Sequence, residues 1–238
     1  VSPPNPVSDP EPTHDRAAYL PATGTLVVAD VHAGRAAAAN AGILLDERRD
    51  LLDRLAAATS ATAPETVVFA GDLLHRFGTP SDRTTGTIRA LAGAVRAAGV
   101  QPVAVAGNHD GRLDAVWPGP VHDTYRLDDD TLVCHGHEAP EADAKRYVCG
   151  HLHPAIEIEG RKRDCFLYDP TGYHDRPTLV LPAFSRFAAG LRIERRECID
   201  APLVPTLDDC RPGVVDRDGV SEALWFPPLA DLRSYLRR

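Results

Sequence analysis

Methionine is absent from the 238 residues, and Lys145 and Lys162 are the only lysines. With Asp more frequent than Glu, this is the composition expected of a GC-rich genome and of salt adaptation. Net positive charge is missing too: the formal charge is −8, which leaves no broad basic field to draw nucleic acid in without regard to sequence. That exclusion is blunted if the acidity reports habitat rather than ligand. Local basic patches, Arg161-Lys162-Arg163 and residues 192–196, remain available to phosphates, although such runs serve more often as solvated hairpins or guards of an edge strand. Cysteine is confined to Cys134, Cys149, Cys165, Cys198 and Cys210, an odd number without a C-x-x-C pair, so reduced thiols are the simplest account. No apolar run approaches the ~20 residues needed to span a bilayer, and the opening residues lack the basic-then-apolar order of a secretory signal. A cytoplasmic protein with no membrane partner is the expectation. At 43% hydrophobic the chain can bury one good core, and it shows no internal repeat.

What is present is a repeated way of ending strands. The run Val103-Ala104-Val105-Ala106-Gly107-Asn108-His109-Asp110 reads as a buried strand delivering polar side chains to a sheet edge. Asn is an uncommon metal ligand, and a His directly after it suits a proton donor beside a metal. A plain turn is the alternative, since Gly-Asn is common turn chemistry. Four further segments repeat the layout. Residues 25–29 end in Asp30-Val31-His32, and 66–70 in Gly71-Asp72. Residues 131–134 end in His135-Gly136-His137, and 146–149 in Gly150-His151-Leu152-His153. Each is a β-branched or apolar run, as in a strand buried on both faces, and each stops at Asp, His or Asn. Sites in open α/β sheets form where the carboxyl ends of strands converge, and five such endings point to one shared site.

The candidate ligands are therefore Asp30, His32, Asp72, Asn108, His135, His151 and His153. Carboxylate, amide and imidazole donors without thiolate suit divalent Mn, Fe, Zn, Ni or Co. Seven residues exceed one four-coordinate ion and suit two that share a carboxylate. Such a pair, roughly 3.5–4 Å apart, binds a phosphoryl oxygen and a bridging hydroxide and aims that hydroxide in line with the leaving group. Asp-x-His and His-x-His fit strand ends, where alternate side chains point the same way. His137 offers a second imidazole near His135; His135 is preferred because it ends the strand directly.

Asp30-x-His32, Gly71-Asp72, Gly107-Asn108-His109-Asp110, His135 and Gly150-His151-x-His153 together resemble the calcineurin-like metallophosphoesterases in order and spacing. The resemblance implies that Asp30, His32 and His153 hold one metal, that Asn108, His135 and His151 hold the other, and that Asp72 bridges them. It implies that His109 is not a ligand but protonates the leaving oxygen or steadies phosphoryl charge. Asp110 would orient His109, or else play a structural part at the start of the next segment. A narrower similarity, over residues 17–195, rests on Tyr19-Leu20-Pro21-Ala22-Thr23-Gly24, on Gly71-Asp72-Leu73-Leu74-His75, on Gly150-His151-Leu152-His153-Pro154-Ala155 and on Leu181-Pro182-Ala183-Phe184. It resembles the branch of the ligase-associated DNA-damage-response endonuclease and its archaeal relatives, which implies a role in DNA repair and Mn ahead of Fe, Zn, Ni or Co. The chain departs from that branch at Ser185-Arg186-Phe187-Ala188-Ala189-Gly190, where glycine and threonine are usual.

Around these motifs the spacing predicts helices over 46–59, capped by Asp46, and from Ser81 or Asp82 onward, with Gly99 just past its end. Short strands follow at 156–159, 166–168, 179–181 and 191–195, and a closing helix at 231–238. Helix-alternating strands followed by a strand-rich half predict a four-layer α/β-β/α sandwich, two mixed sheets with helices outside. Residues 1–16, rich in proline and acid, read as a mobile arm, and 17–238 as a single domain whose residues past 200 are least legible. His75, Arg35 and Arg76 lie just past strand ends, equally placed for substrate or solvent; His14, His122 and His174 read as surface residues. The expected activity is metal-dependent hydrolysis of a phosphodiester, with DNA, RNA, a cyclic nucleotide or a small phosphodiester as the substrate. A phosphomonoesterase and a non-catalytic scaffold for a protein partner are the competing readings.

Overall fold

A computed structural model describes residues 10–13, 15–38, 47–196, 199, 201–214 and 223–236. Its first sheet has six strands: β1 (Glu11–Pro12), β2 (Ala18–Leu20), β3 (Thr25–Val28), β4 (Thr66–Ala70), β5 (Gln101–Val105) and β6 (Val121–His122), in that spatial order. From β3 to β6 the pairs are parallel, and β1 and β2 extend the edge antiparallel. The second sheet comprises β7 (Thr124–Arg126), β8 (Thr131–Cys134), β9 (Arg146–Cys149), β12 (Phe166–Asp169), β13 (Thr178–Val180), β15 (Arg211–Val214) and β16 (Leu224–Trp225). Its order is β16-β15-β12-β13-β9-β8-β7, with β13, β9 and β8 parallel. A small third sheet joins β10 (Pro154–Ile158), β11 (Arg161–Asp164) and β14 (Leu191–Arg192). The helices are α1 (Arg35–Ala38), α2 (Glu47–Thr62), α3 (Asp82–Ala97) and α4 (Leu229–Leu236).

Alternation along the strands builds the layers. Leu26, Val28, Val67 and Phe69 face Leu51 and Leu55 of α2 and Ile88, Leu91 and Val95 of α3. The intervening Val27, Ala29, Val68 and Ala70 face the second sheet, meeting Val133, Val148, Phe166 and Leu179. Strands sandwiched in this way are apolar on both faces, which is why they read as unbroken hydrophobic runs; each buried Val or Leu contributes on the order of 1.5–3 kcal/mol. Helix α3 starts where Ser81 Oγ accepts the Thr84 N–H at 3.2 Å and ends before Gly99, whose φ is +78°. The outer face of the second sheet is covered more thinly, by Leu229 of α4, by Ile156 and Ile193, and by loop residues Leu203, Val204 and Leu207.

Some expectations need correcting. The strand expected over 191–195 stops at Arg192, because β10 pairs it only through Pro154 and Ala155; Ile193–Arg195 then winds a 3-10 turn that buries Ile193. Of the expected arm, residues 1–9 and His14 lie outside the described residues, but 11–12 form β1 and Arg16 bridges Asp164 at 2.6 Å. Asp46, Cys198 and residues 237–238 are also outside them. The free thiols of Cys134, Cys149, Cys165 and Cys210 are buried. Among the described residues, no helix is long and apolar enough to cross a membrane.

Candidate metal centre

The carboxyl ends of β3, β4, β5, β8 and β9 meet at one place, with Asp30, Asp72 and His135 almost wholly buried there. The ends of β3 and β4 are laced together: Asp30 N–H donates to Gly71 O (3.1 Å) and His32 N–H to Asp72 O (2.8 Å). The second sheet is tied in by His151 N–H, which donates to Asp30 Oδ2 at 2.9 Å. Close approach is possible only because glycine stands beside each contact. A Cβ on Gly71 (φ +79°) would lie 2.2 Å from His135 Nδ1, and one on Gly150 would lie 2.5 Å from Asp30 Oδ2.

Alternate strand positions do not explain how Asp30 and His32, or His151 and His153, point together. These residues lie past the ends of β3 and β9, and their backbones are left-handed: φ is +56°, +46°, +70° and +46°, with Asp72 at +47°. Such conformations cost on the order of 1–3 kcal/mol each and persist where the surroundings over-determine them. Here the lacing hydrogen bonds do so, and they turn the polar side chains inward.

The side chains converge in two groups. Asp30, His32 and His153 form one, and Asp30, Asp72 and His135 the other, ligand atoms in each lying within 4.8 Å of one another. His153 Nε2 is 3.2 Å from Asp30 Oδ1 and 3.2 Å from His32 Nε2. His135 Nε2 faces Asn108 Oδ1 at 3.1 Å and Asp72 Oδ1 at 3.4 Å, while its Nδ1 is taken up by the Ala70 carbonyl at 3.3 Å. Asp72 Oδ2 lies 3.7 Å from His32 Nε2, so one oxygen of Asp72 faces each group. The His151 ring is 5.0 Å from that of His135. His137 stands beside them, its ring 5.1 Å from His135, outside both groups.

This set fits divalent cations. Asp30 Oδ1 is buried and belongs to both groups, and apart from His153 Nε2 at 3.2 Å it has no close donor, fewer partners than a buried carboxylate oxygen usually has. Burial pushes His32 down to about 3 and His135 to about 4, so both imidazoles are neutral, as ligands must be. Burial pushes Asp72 up to about 8 against the His109 N–H it accepts. Burial also works against charge on Asp30, but His153, pairing with it at 3.2 Å, is the chief influence holding its carboxyl below the usual range.

His109 Nδ1 donates to the His75 carbonyl at 2.9 Å, which leaves Nε2 facing Asp72 Oδ2 at 3.8 Å. Asp110 does not touch the imidazole. Its Oδ2 accepts the N–H groups of Gly107 (2.9 Å) and Leu73 (3.1 Å), and its Oδ1 accepts that of Leu74 (2.9 Å). The orienting role expected of Asp110 therefore passes to a backbone carbonyl, and Asp110 clamps the Asn108 loop to the Asp72 loop; burial pushes it up to about 6 against these donors.

A model of the calcineurin-like phosphoesterases matches residues 24–170, well over half of the chain. The chain belongs to that family. Among solved structures, this phosphoesterase-family chain is similar to the nuclease MPE of Pseudomonas putida, with 23% identity, a TM-score of 0.63, and 90% of this chain and 93% of that one covered. A looser likeness is to Yfce, a phosphoesterase from E. coli, at 16% identity and a TM-score of 0.44, covering 82% and 88%. No curated protein sequence matches.

The sequence did not reveal how several neighbours of the site are placed against it. Residues 183–187 form a strap behind Asp30, with Phe184 N–H donating to Ala29 O (2.8 Å) and Ser185 N–H to Asp30 O (3.2 Å). Arg16 holds the strap's Ala183 and Ser185 carbonyls, and buried Arg54, paired with Asp50, lies over the Phe184 ring at 4.2 Å. Arg35, on the mouth side, donates to Phe187 O at 2.9 Å. Of the other histidines, His122 packs near Tyr125 and His174 pairs with Asp143, and neither enters the two ligand groups.

Proposed function

We propose that the chain is a metal-dependent phosphodiesterase acting on nucleic acid, the substrate class of the Pseudomonas putida nuclease whose fold it shares. The reading rests chiefly on one observation: two ligand groups lie side by side, with His109 Nε2 poised 3.8 Å from the carboxylate between them. Asp30, His32 and His153 would hold one ion, and Asn108, His135 and His151 the other. Asp72 rather than Asp30 would bridge the two ions, although Asp30 enters both groups. The contact of Asp30 with His135 runs through Nδ1 at 3.8 Å, and that nitrogen is already engaged by Ala70; Nε2, which also meets Asn108 Oδ1, faces Asp72. A carbonyl held behind a ligating imidazole fixes its tautomer in just this sense.

When bound, divalent ions, Mn first and Fe, Zn, Ni or Co next, supply Lewis acidity toward phosphoryl oxygens and lower the pKa of water. The protein's own proton chemistry falls to His109. With Nδ1–H committed to the His75 carbonyl, the second proton of its imidazolium sits on Nε2, the atom that faces the centre, and passes to the departing alkoxide oxygen. Rigid placement of the ligands matters more than any nucleophilic side chain, since phosphoryl transfer is mainly positioning and electrostatics.

The test is turnover of bis(p-nitrophenyl) phosphate against p-nitrophenyl phosphate with Mn added. Faster turnover of the diester is expected. Faster monoester turnover would make the chain a phosphomonoesterase. Hydrolysis of neither, with no metal bound on titration, would leave a scaffold.

A further inference from the structure

Phe77 is 68% exposed, and among the described residues only Phe77 and Leu224 are large apolar side chains left so open. Leu224 belongs to the edge strand β16, far along the second sheet from the metal centre. Phe77 sits instead at the mouth of the site. Its ring stacks on that of His109, with centroids 4.2 Å apart and planes 24° apart. The proton donor of the reaction is thus flanked by an aromatic plane whose remaining surface is in water.

An arginine adjoins Phe77 in an otherwise acidic protein. Arg76 precedes it in the chain, and the guanidinium of Arg35 is anchored through Nε to Phe187 O at 2.9 Å. The same loop borders a cavity of about 290 Å³ walled by Arg76, Ser81 and Thr84, giving a chain of phosphates room to run beyond the centre. A flat apolar surface beside an arginine suits a base attached to a sugar-phosphate chain, because every base has a face that stacks and every linkage a charge to meet.

The geometry points to Phe77 as a positioning residue that stacks the base of the leaving nucleoside, setting the leaving oxygen against His109 Nε2. This rests on the phosphodiesterase reading above and narrows its substrate to one with a base on the leaving side. Ligand binding at a single flat ring also explains why an exposed phenylalanine is tolerated beside water.

The experiment compares a dinucleotide containing one phosphodiester with two counterparts, each lacking one base, using Mn-loaded wild type, Phe77→Ala, Phe77→Leu and Phe77→Trp. The fragment that keeps the phosphate identifies the leaving side. In wild type, removal of the leaving-side base should lower kcat/KM by roughly 5- to 150-fold, the range one base–aromatic stack supplies, and removal of the other base should do less. Phe77→Ala and Phe77→Leu should erase that difference, and Phe77→Trp should restore it. Metal content and turnover of methyl p-nitrophenyl phosphate monitor the intact centre in each variant. Equal base dependence in wild type and Phe77→Ala, or none in wild type, overturns the inference while diester hydrolysis still stands. A wild type that hydrolyses no diester overturns the phosphodiesterase reading and this inference with it, and the methyl p-nitrophenyl ester separates that outcome from the first.

Discussion

Asp110 gives the sharpest contrast between a catalytic and a structural role. Its carboxylate accepts three backbone N–H groups, from Gly107, Leu73 and Leu74, at 2.9–3.1 Å, and its residue is 5% exposed. Hydrogen bonds to a charged group contribute about 1.5–3 kcal/mol each, and a buried N–H left without a partner costs about 1–3 kcal/mol. Asp110→Ala strands the Leu73 and Leu74 N–H groups in the core and should cost about 3–6 kcal/mol. For a chain of this length that is roughly 6–24 °C of Tm, at about 2–4 °C per kcal/mol. Asp110→Asn is milder. An amide oxygen in the place of Oδ2 keeps two of the bonds but turns NH2 against the Leu74 N–H, for a loss of about 1–3 kcal/mol. Because the clamp joins the loops carrying Asp72 and Asn108, both variants should also bind Mn more weakly. Thermal unfolding of the chelated protein and metal analysis after reconstitution measure the two effects. If Asp110→Ala unfolds at the wild-type temperature with full metal content and loses only turnover, the clamp is wrong and Asp110 acts on His109 after all.

Other expectations are more easily stated. His109→Asn should keep its metal and lose about 10²–10⁴-fold in turnover, with a greater loss on an alkyl leaving group than on nitrophenolate, as steady-state kinetics on the two ester types will show; metal loss instead would make His109 a ligand. Asp72 is raised to about 8 in the folded metal-free protein from an ordinary 3.8, so its neutral form favours folding. That contribution is complete below pH ~3.8 and is lost as pH rises through about 8. Chelated Asp72→Asn should therefore gain stability relative to wild type as pH climbs across this range, yet bind metal poorly, and unfolding curves at several pH values check the sign. For the same reason, metal binding to wild type near pH 7 should release a proton, seen as buffer-dependent heat in calorimetry. Gly150→Ala places a methyl 2.5 Å from Asp30 Oδ2 and should lower metal content while leaving a folded protein by circular dichroism.

Much of the centre was legible because strands covered on both faces leave a plain trace: apolar runs such as Thr131–Cys134 and Arg146–Cys149 stop abruptly at polar side chains. Burial on two sides also announced the stacked sheets, and Ser81 and Gly99 announced the ends of α3. Backbone handedness leaves no such trace. Nothing in Asp30-Val31-His32 distinguishes two left-handed residues from the alternation of a strand, and the lacing to Gly71 and Asp72 that enforces it is a tertiary fact. For the same reason the sequence left Asp110 open between orienting His109 and a structural part, since its partners Leu73 and Leu74 lie 37 and 36 positions away. Phe77 and the 183–187 strap carry no periodicity at all; their meaning comes only from the neighbours the fold assigns them. The third sheet was partly visible as Arg161-Lys162-Arg163, which forms the exposed strand β11 against β10, as the solvated-hairpin reading of that charge run allowed.

The most direct test strips the protein with chelator and adds Mn stepwise, following ions bound per chain and hydrolysis of bis(p-nitrophenyl) phosphate on the same samples. Two ions per chain, with turnover arising as the second is filled, is the expected result. Full turnover in the chelated protein, or at one ion per chain, would contradict a centre in which Asp72 joins two metal groups.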